Sequence, residues 1–315
     1  MNLTEEQRAA VDRVGNVYVE ACPGSGKTRV LIARLIEACQ ADTPSPRRIA
    51  CITFTNAAVD EIETRLATAT PEQTADTVAV CTIHSFCLAY IFRPFHQRLY
   101  AYSRGFTFVT PDDERARQLV QEVAESLGFA TLTAAELDTF STAGMDAAGR
   151  PVLTGKFGPL VQVMPAYWDA CRARGWLDFN LLLHESVEML HTFPDVAESL
   201  SARFRSILVD EFQDTTDVQL TILMQLFSRG HSRFFLVGDP QQSIYQFAGA
   251  SMDISQHFVA DVCANNRLPL TGNFRSSTEI VTLAESVLPR APPMTAKAPA
   301  STRGVSAEVF KTDDC

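Results

Sequence analysis

Long apolar runs are missing from this 315-residue chain. The longest clearly apolar stretch, Cys87 to Phe92, falls far short of the roughly 20 residues a membrane helix needs. The opening residues, MNLTEEQRAAVDR, are polar and acidic, so neither a signal peptide nor a transit peptide is expected. Lysine is scarce: Lys27, Lys156, Lys297 and Lys311 are the only ones, and the other basic residues are arginines. Basic charge is short overall, with 27 Lys and Arg against 37 Asp and Glu, a net charge of −10 and an isoelectric point near 5.1. That balance argues against a broadly basic nucleic-acid-binding domain, although a local basic groove can hide inside a global sum. The eight cysteines include no C-x-x-C pair and mostly sit in apolar runs such as IACITF and VAVCTIH. They read as small buried hydrophobes of a reducing cytoplasm, not a disulfide framework. The six histidines form no HExxH, so structural zinc is not expected. Glycine (15) and proline (16) lie near average usage, which excludes collagen-like and low-complexity architectures. What remains is 46% hydrophobic and 20% charged, with a mean hydropathy of zero. Those are the proportions of a soluble, core-forming chain, long enough for about two domains.

Short β-rich runs recur, each handing over to a glycine-rich or polar turn: Val17–Glu20, Ile49–Phe54, Val78–Thr82, Ile207–Asp210 and Phe234–Gly238. Helical patterns follow several of them. Arg29–Cys39 is one, and Asn56–Leu66 places Ala58, Ile62 and Leu66 on one face at i, i+4 and i+8. Strands alternating with helices predict an α/β fold with a parallel sheet. From about Ile91 to Met189 the texture becomes helical without matching strands, as in DDERARQLVQEVAESLGF, and predicts a helical insertion. Near the end, PRAPPMTAKAPASTRG reads as a loop before a short strand at Val305–Phe310.

The strongest local motif is ACPGSGKT, Ala21–Thr28, set between the strand NVYVE and the helix TRVLIARLIEA. Gly24 and Gly26 let the backbone curl so that amide N–H groups face a phosphate-sized concavity. Pro23, Ser25 and Arg29 belong to the same turn and its exit. Lys27 would reach the β- and γ-phosphates, and Thr28 would ligate magnesium. The first position is Ala21, not glycine, which leaves the amide nest untouched. Downstream, SILVDEFQD (Ser206–Asp214) is an apolar strand ending in two acids. Alone such a strand is usually structural, but after a phosphate loop it reads as a magnesium site at Asp210 with Glu211 as general base. Both sets fall at strand C-terminal ends, where open α/β sheets bind ligands.

LVDEFQDT, LVGDPQQSIYQFAGA and LPLTGNFRSS, in that order, resemble the UvrD/Rep-type DNA helicases of superfamily 1. LTEEQRAAV is similar to the family's adenine-reading glutamine segment, ITFTNAAVDEIETRL to its first DNA-contact motif, TIHSF to its second and LDFNLLL to its LDF segment. The resemblance spans Leu3 to about Leu288 and implies ATP and Mg2+ as cofactors and single-stranded DNA as partner, with no membrane. It implies an adenine contact for Gln7, whose amide both donates and accepts. Gln242 and Arg275 then correspond to γ-phosphate contacts, a neutral group and a fixed cation. Arg29 and Arg34 either brace the site or are solvated helix arginines. Phe54, Tyr245 and Phe247 resemble positions on which unstacked bases sit, a contact indifferent to sequence because every base has a π-face. Thr55, Asn56, Thr82, His84 and Ser85 would hold backbone phosphates and sugars. A phenylalanine in a strand such as ITFT is more often core, and a lone histidine more often a satisfied polar residue.

The chain departs from the family pattern at Ala57, where lysine is usual, and at Ala248, where arginine is usual. Asn180 and Leu181 replace the acids that normally follow LDF. Residues 271–315 number only 45, below the usual lower bound of about 50 for a domain. The resemblance therefore implies a first RecA-like ATP-binding domain at 1–90 and 190–270, a mainly helical insertion at 91–189, and the opening of a second RecA-like domain at 271–315. The implied activity is ATP-dependent unwinding of DNA or translocation on single strands with 3′-to-5′ polarity. Two alternatives stand beside it: a truncated nucleotide- and DNA-binding adaptor, or a half-enzyme whose second domain arrives on a partner chain. Repair, plasmid maintenance and phage defence are all compatible with these motifs.

Overall fold

The computed structural model describes residues 2–40, 45–69, 77–153, 158–243, 252–264 and 266–298. Helix α1 (Glu5–Asp12) starts from a capping box in which Thr4 and Gln7 bond each other's backbone N–H groups. Such reciprocal caps satisfy two donors that a helix start leaves open. Strand β1 (Val17–Ala21) runs into the glycine loop, and helix α2 (Lys27–Gln40) begins within the motif, at Lys27. Strand β2 (Arg48–Thr53), helix α3 (Asn56–Ala69) and strand β3 (Val78–Thr82) follow.

From Ile83 the chain is mostly helical. Short helices α4 (Ile83–Phe86) and α5 (Arg93–Phe95) flank a wider helical turn at Cys87–Phe92. Then come strand β4 (Thr107–Phe108), helices α6 (Glu114–Ser126) and α7 (Ala134–Thr142), and strands β5 (Gly144–Met145) and β6 (Pro151–Val152). Helix α8 (Leu160–Arg174) ends at Gly175, whose φ of 65° suits a left-handed cap. Strand β7 (Trp176–Leu177) and helices α9 (Phe179–Thr192) and α10 (Pro194–Arg203) complete the stretch. The expectation of no strands here is corrected, since β4 pairs with β7 and β5 with β6. Each is only two residues long, too short to leave an alternating pattern.

Strand β8 (Phe204–Val209) leads to helix α11 (Asp217–Phe227), strand β9 (Arg233–Gly238), helix α12 (Met252–Cys263) and strand β10 (Arg267–Leu270). Strand β11 (Gly272–Asn273), helix α13 (Thr278–Val287) and strand β12 (Thr295–Ala296) end the described chain. Six strands form one sheet in the order β10-β1-β9-β8-β2-β3, with every pairing parallel. Five of them are those expected from sequence, and β10 is the addition. The four inner strands are mostly buried, which explains their nearly continuous apolar runs. On one face Val17, Val19 and Ala21 pack with α1, α2 and α3. On the other, Tyr18, Ala50 and Ile52 join a core continuous with Phe86, Phe92, Tyr167 and Trp168 of the helical stretch.

The chain leaves β1 toward β2, three places along the sheet, but leaves β9 toward β10 in the opposite direction. Adjacent parallel strands with divergent exits open a crevice at their C-terminal ends. The glycine loop and the turn at 239–242 border that crevice. The expected strand at Val305–Phe310 lies outside the described residues. Among the described residues no helix is long and apolar enough to cross a membrane, and the seven cysteines there are free thiols.

Candidate functional site

Gly24 and Gly26 adopt φ of 67° and 85°, so each turns the loop where a side chain would be strained. Both positions are also crowded. A Cβ on Gly24 would meet Arg275 Cβ at 2.7 Å, and one on Gly26 would meet Gln7 Nε2 at 2.9 Å. Gln7 is buried, and its amide is engaged at both ends: Nε2 donates to the Ser25 carbonyl at 2.8 Å, and Oε1 accepts the Thr4 N–H at 3.1 Å. It thus braces the loop, with one N–H and one lone pair left to offer. Ser25 Oγ is buried without a partner among the described residues. Pro23 follows Cys22, whose N–H donates to the Leu270 carbonyl at 3.1 Å and ties the loop to β10.

Lys27 lies across the crevice from the strand ends of β8 and β9. Its Nζ is 2.9 Å from Glu211 Oε2 and donates to Gln242 Oε1 at 3.2 Å. Three residues picked from separate motifs therefore meet at one ammonium group. Asp210 is buried beside them, and burial, reinforced by the charge of Glu211, pushes its carboxyl up to about 6. A cation bound at that carboxylate would relieve the desolvation that raises it. Asp210 and Thr28 line a common cleft of about 610 Å³ with Glu211, Gln213, Gln242, Phe54 and Thr55. Among the described residues no group of three or more His, Cys, Asp or Glu forms a protein-only cage. One carboxylate and one hydroxyl beside a phosphate cradle are the donor set magnesium takes when phosphates complete its shell. The loop, the orphan serine hydroxyl and this donor set fit a nucleoside triphosphate with a divalent cation.

Arg275 extends from the segment after β10, with its stem against Gly24 and its exposed guanidinium unpaired among the described residues. The segment is pinned to the loop, because Phe274 N–H donates to the Gly24 carbonyl at 2.9 Å and Asn273 Oδ1 accepts from Arg275 and Ser276 N–H. Arg29 is exposed, reaching only the Asn2 carbonyl at 3.5 Å. Arg34 braces the fold: it donates to the Val11 carbonyl and stacks over Phe235 at 5.4 Å. Arg34 is thus tied to α1 and β9 rather than to the glycine loop.

The remaining residues gather at the ends of β2 and β3. Phe54 is 36% exposed, and Thr55 and Asn56 are exposed beside it. Thr55 Oγ1 accepts the Ala58 N–H at 3.2 Å. Thr82 caps α4, accepting the Ser85 N–H at 3.2 Å and donating to Ser85 Oγ at 3.0 Å. His84 packs edge-on against Phe179 at 5.3 Å, and Phe179 against Phe108 at 5.0 Å. Burial lowers His84 to about 4, so near neutral pH it is an uncharged donor or acceptor rather than a cation. Tyr245, Phe247 and Ala248 lie outside the described residues.

Sequence reasoning passed over four side chains that the fold brings to the strand ends, one beside β2 and β3 and three beside β8 and β9. Phe179, 44% exposed, sits in the LDF segment, and Gln213 and Asp239 sit inside quoted motifs without an assigned role. Arg290 carries no motif at all, yet it grips the fully buried Asp239 with two hydrogen bonds of 2.9 Å. That bidentate pair is the strong form of an ionic hydrogen bond.

Comparison with known proteins finds that residues 3–262 match the family model of the UvrD/REP helicase N-terminal domain. The ATP-dependent DNA helicase UvrD1 of Mycobacterium leprae (strain TN) is 30% identical over 309 residues, covering 91% of this chain and 39% of that protein. UvrD1 of Mycobacterium tuberculosis (strain ATCC 25618 / H37Rv) is 32% identical with the same coverage. The ATP-dependent DNA helicase PcrA of Staphylococcus aureus (strain NCTC 8325 / PS 47) is 29% identical over 299 residues, 90% of this chain and 39% of that protein. The chain thus spans about two fifths of the length of these curated relatives.

Proposed function

The chain belongs to the UvrD/REP helicase family, and from that premise we propose that it acts in ATP-dependent, 3′-to-5′ movement on single-stranded DNA in the cytoplasm. One observation carries the nucleotide half of this reading: Lys27 stands between Glu211 and Gln242 at the β1–β9 crevice. Bound ATP with Mg2+ would supply the phosphoanhydride whose cleavage drives movement. Pro23, Gly24, Ser25, Gly26 and Lys27 would hold its phosphates, Thr28 and Asp210 the cation, and Gln7 the adenine edge. Glu211 takes a proton from the attacking water. Its Oε2 already receives Lys27 and Gln213, which leaves Oε1 open among the described residues. Gln242 and Arg275 answer to the charge on the terminal phosphate, one through a neutral amide and one through a fixed cation.

The DNA half rests on the open rim of β2 and β3. Phe54 and Phe179 offer stacking surfaces there, and the family resemblance would add Tyr245 and Phe247. Thr55, Asn56, Thr82, His84 and Ser85 offer polar groups to sugars and phosphates, contacts that position without specifying sequence. The common cleft runs from Thr28 and Asp210 to Phe54 and Thr55, so a change at one end has a short path to the other. Residues 1–90 and 190–270 make up the ATP-binding domain in this reading, residues 91–189 the insertion, and residues 271–315 the start of a second lobe, with Arg275 reaching back to the first.

The test is phosphate release from Mg–ATP with single-stranded and duplex oligonucleotides, beside a strand-displacement assay. The reading predicts slow release that single strands accelerate more than duplexes, and that Glu211→Gln slows by about 10²–10⁴-fold, the usual worth of a positioned base. Release unaffected by Glu211→Gln would contradict it.

A further inference from the structure

Glu211 is one of two non-glycine residues with positive φ among the described residues, at φ 45° and ψ 46°. A side chain kept in that region is held by its surroundings, and such strain gathers at functional sites. Its backbone N–H donates to Asp210 Oδ1 at 3.1 Å. Among the described residues its carboxylate has two partners, both on Oε2: Lys27 Nζ at 2.9 Å and Gln213 Nε2 at 2.9 Å. The lysine cannot serve as a permanent anchor, because the proposed function gives its ammonium to the phosphates. The amide of Gln213 has no such competing duty, and being neutral it fixes direction without cancelling charge.

Chemistry leaves Gln213 only one orientation. Its Oε1 accepts the Asp239 N–H at 2.8 Å, so that end must be the oxygen. Its Nε2 then faces Glu211 Oε2 and, at 3.3 Å, Asp214 Oδ2, both of which only accept. The approach requires glycine at 238, where a Cβ would lie 2.7 Å from Gln213 Oε1. Asp239 is itself fixed: its carboxylate accepts both guanidinium bonds of Arg290 and the Gln241 N–H at 3.1 Å, while its carbonyl accepts the Gln242 N–H at 2.9 Å. Since Gln242 meets Lys27, these contacts close a ring through Asp239, Gln213, Glu211, Lys27 and Gln242.

We infer that Gln213 is the positioning residue for Glu211, holding its carboxylate ready for proton abstraction after Lys27 has turned to the phosphates, and that Arg290 anchors this arrangement through Asp239. The inference rests on Glu211 being the base. Placement errors of about 1 Å are worth on the order of 100-fold in rate, and removing the amide donor allows an error of that size.

The experiment compares wild type, Gln213→Leu, Gly238→Ala and Glu211→Gln in the whole chain by three measurements. These are single-turnover hydrolysis of Mg–ATP, ATP affinity by calorimetry, and nucleotide-free crystal structures. Gln213→Leu should slow hydrolysis by about 10–100-fold with ATP affinity within about threefold of wild type. It should add nothing further in the Glu211→Gln background, and its crystals should show the Glu211 carboxylate displaced. Gly238→Ala, which pushes the amide away, should reproduce the effect if the leucine variant does not fold. An undisturbed Glu211 carboxylate in Gln213→Leu crystals overturns the inference, as does wild-type hydrolysis by Gln213→Leu where Glu211→Gln is inactive. Equal losses of affinity and rate would also overturn it, by marking Gln213 as merely structural. Unchanged hydrolysis in Glu211→Gln would instead remove the general-base reading beneath it.

Discussion

Along β1, β8 and β9 the strand ends carry polar side chains that bond one another across the fold. Along β2 and β3, Thr55, Thr82 and Ser85 bond only within their own turns among the contacts described. The first rim joins Lys27 to Gln242, Gln213 to Asp239 and Asp239 to Arg290. Its members are buried or half-buried and share partners, so a change at one is felt by the next. The second rim exposes Phe54 and Phe179 and keeps His84 neutral. The contrast matches two tasks. An interlocked set can respond to one ligand of fixed charge and shape, whereas independent hydroxyls and aromatic faces can accept any base that slides over them.

Breaking the interlocked rim at its least conspicuous member should have the largest effect on stability. Arg290→Ala leaves a fully buried carboxylate without its cation, so urea unfolding should show a loss of about 3–5 kcal/mol. A loss below about 1 kcal/mol would mean that the two rims are not built differently after all.

The open rim should reveal itself through pH. His84 sits at about 4 in the folded chain against 6.5 when free, because burial disfavours its charged form. The unfolded chain therefore binds the extra proton between those values. Stability from this residue is complete above about 6.5 and is lost as the pH falls toward 4. The difference in unfolding free energy between wild type and His84→Gln should shrink by roughly 2–3 kcal/mol across that window, at about 1.4 kcal/mol per unit. A difference that stays constant with pH would place His84 in water.

Smaller still is the effect that separates the rims by ligand. Phe179→Ala should weaken single-stranded DNA by about 1–3 kcal/mol in fluorescence anisotropy while Mg–ATP affinity stays as it was. Equal weakening of both ligands would show the rims to be one site.

How far the sequence reveals this molecule follows the same division. Contiguous chemistry is legible: ACPGSGKT between a strand and a helix announces the glycine loop, and five apolar runs announce five strands of a parallel sheet. Strand β10 escapes notice because RLPL is short and contains Pro269, a residue sheets tolerate at an edge, which is where β10 lies. The bonds among Gln213, Asp239 and Arg290 span 26 and 51 residues of sequence, so only the fold makes them neighbours. Gln7 shows the opposite case. The resemblance of LTEEQ to a family segment implies a ligand contact for it, but nothing in that segment reveals that the same amide props the loop through the Ser25 carbonyl.

Calorimetric titration of Mg–ATP into wild type and Lys27→Ala tests the central claim, that nucleotide sits at the β1–β9 crevice. Loss of a charge-assisted contact at the centre of the interlocked rim should weaken binding on the order of 100-fold or abolish it. Equal affinity in the two proteins would contradict the account.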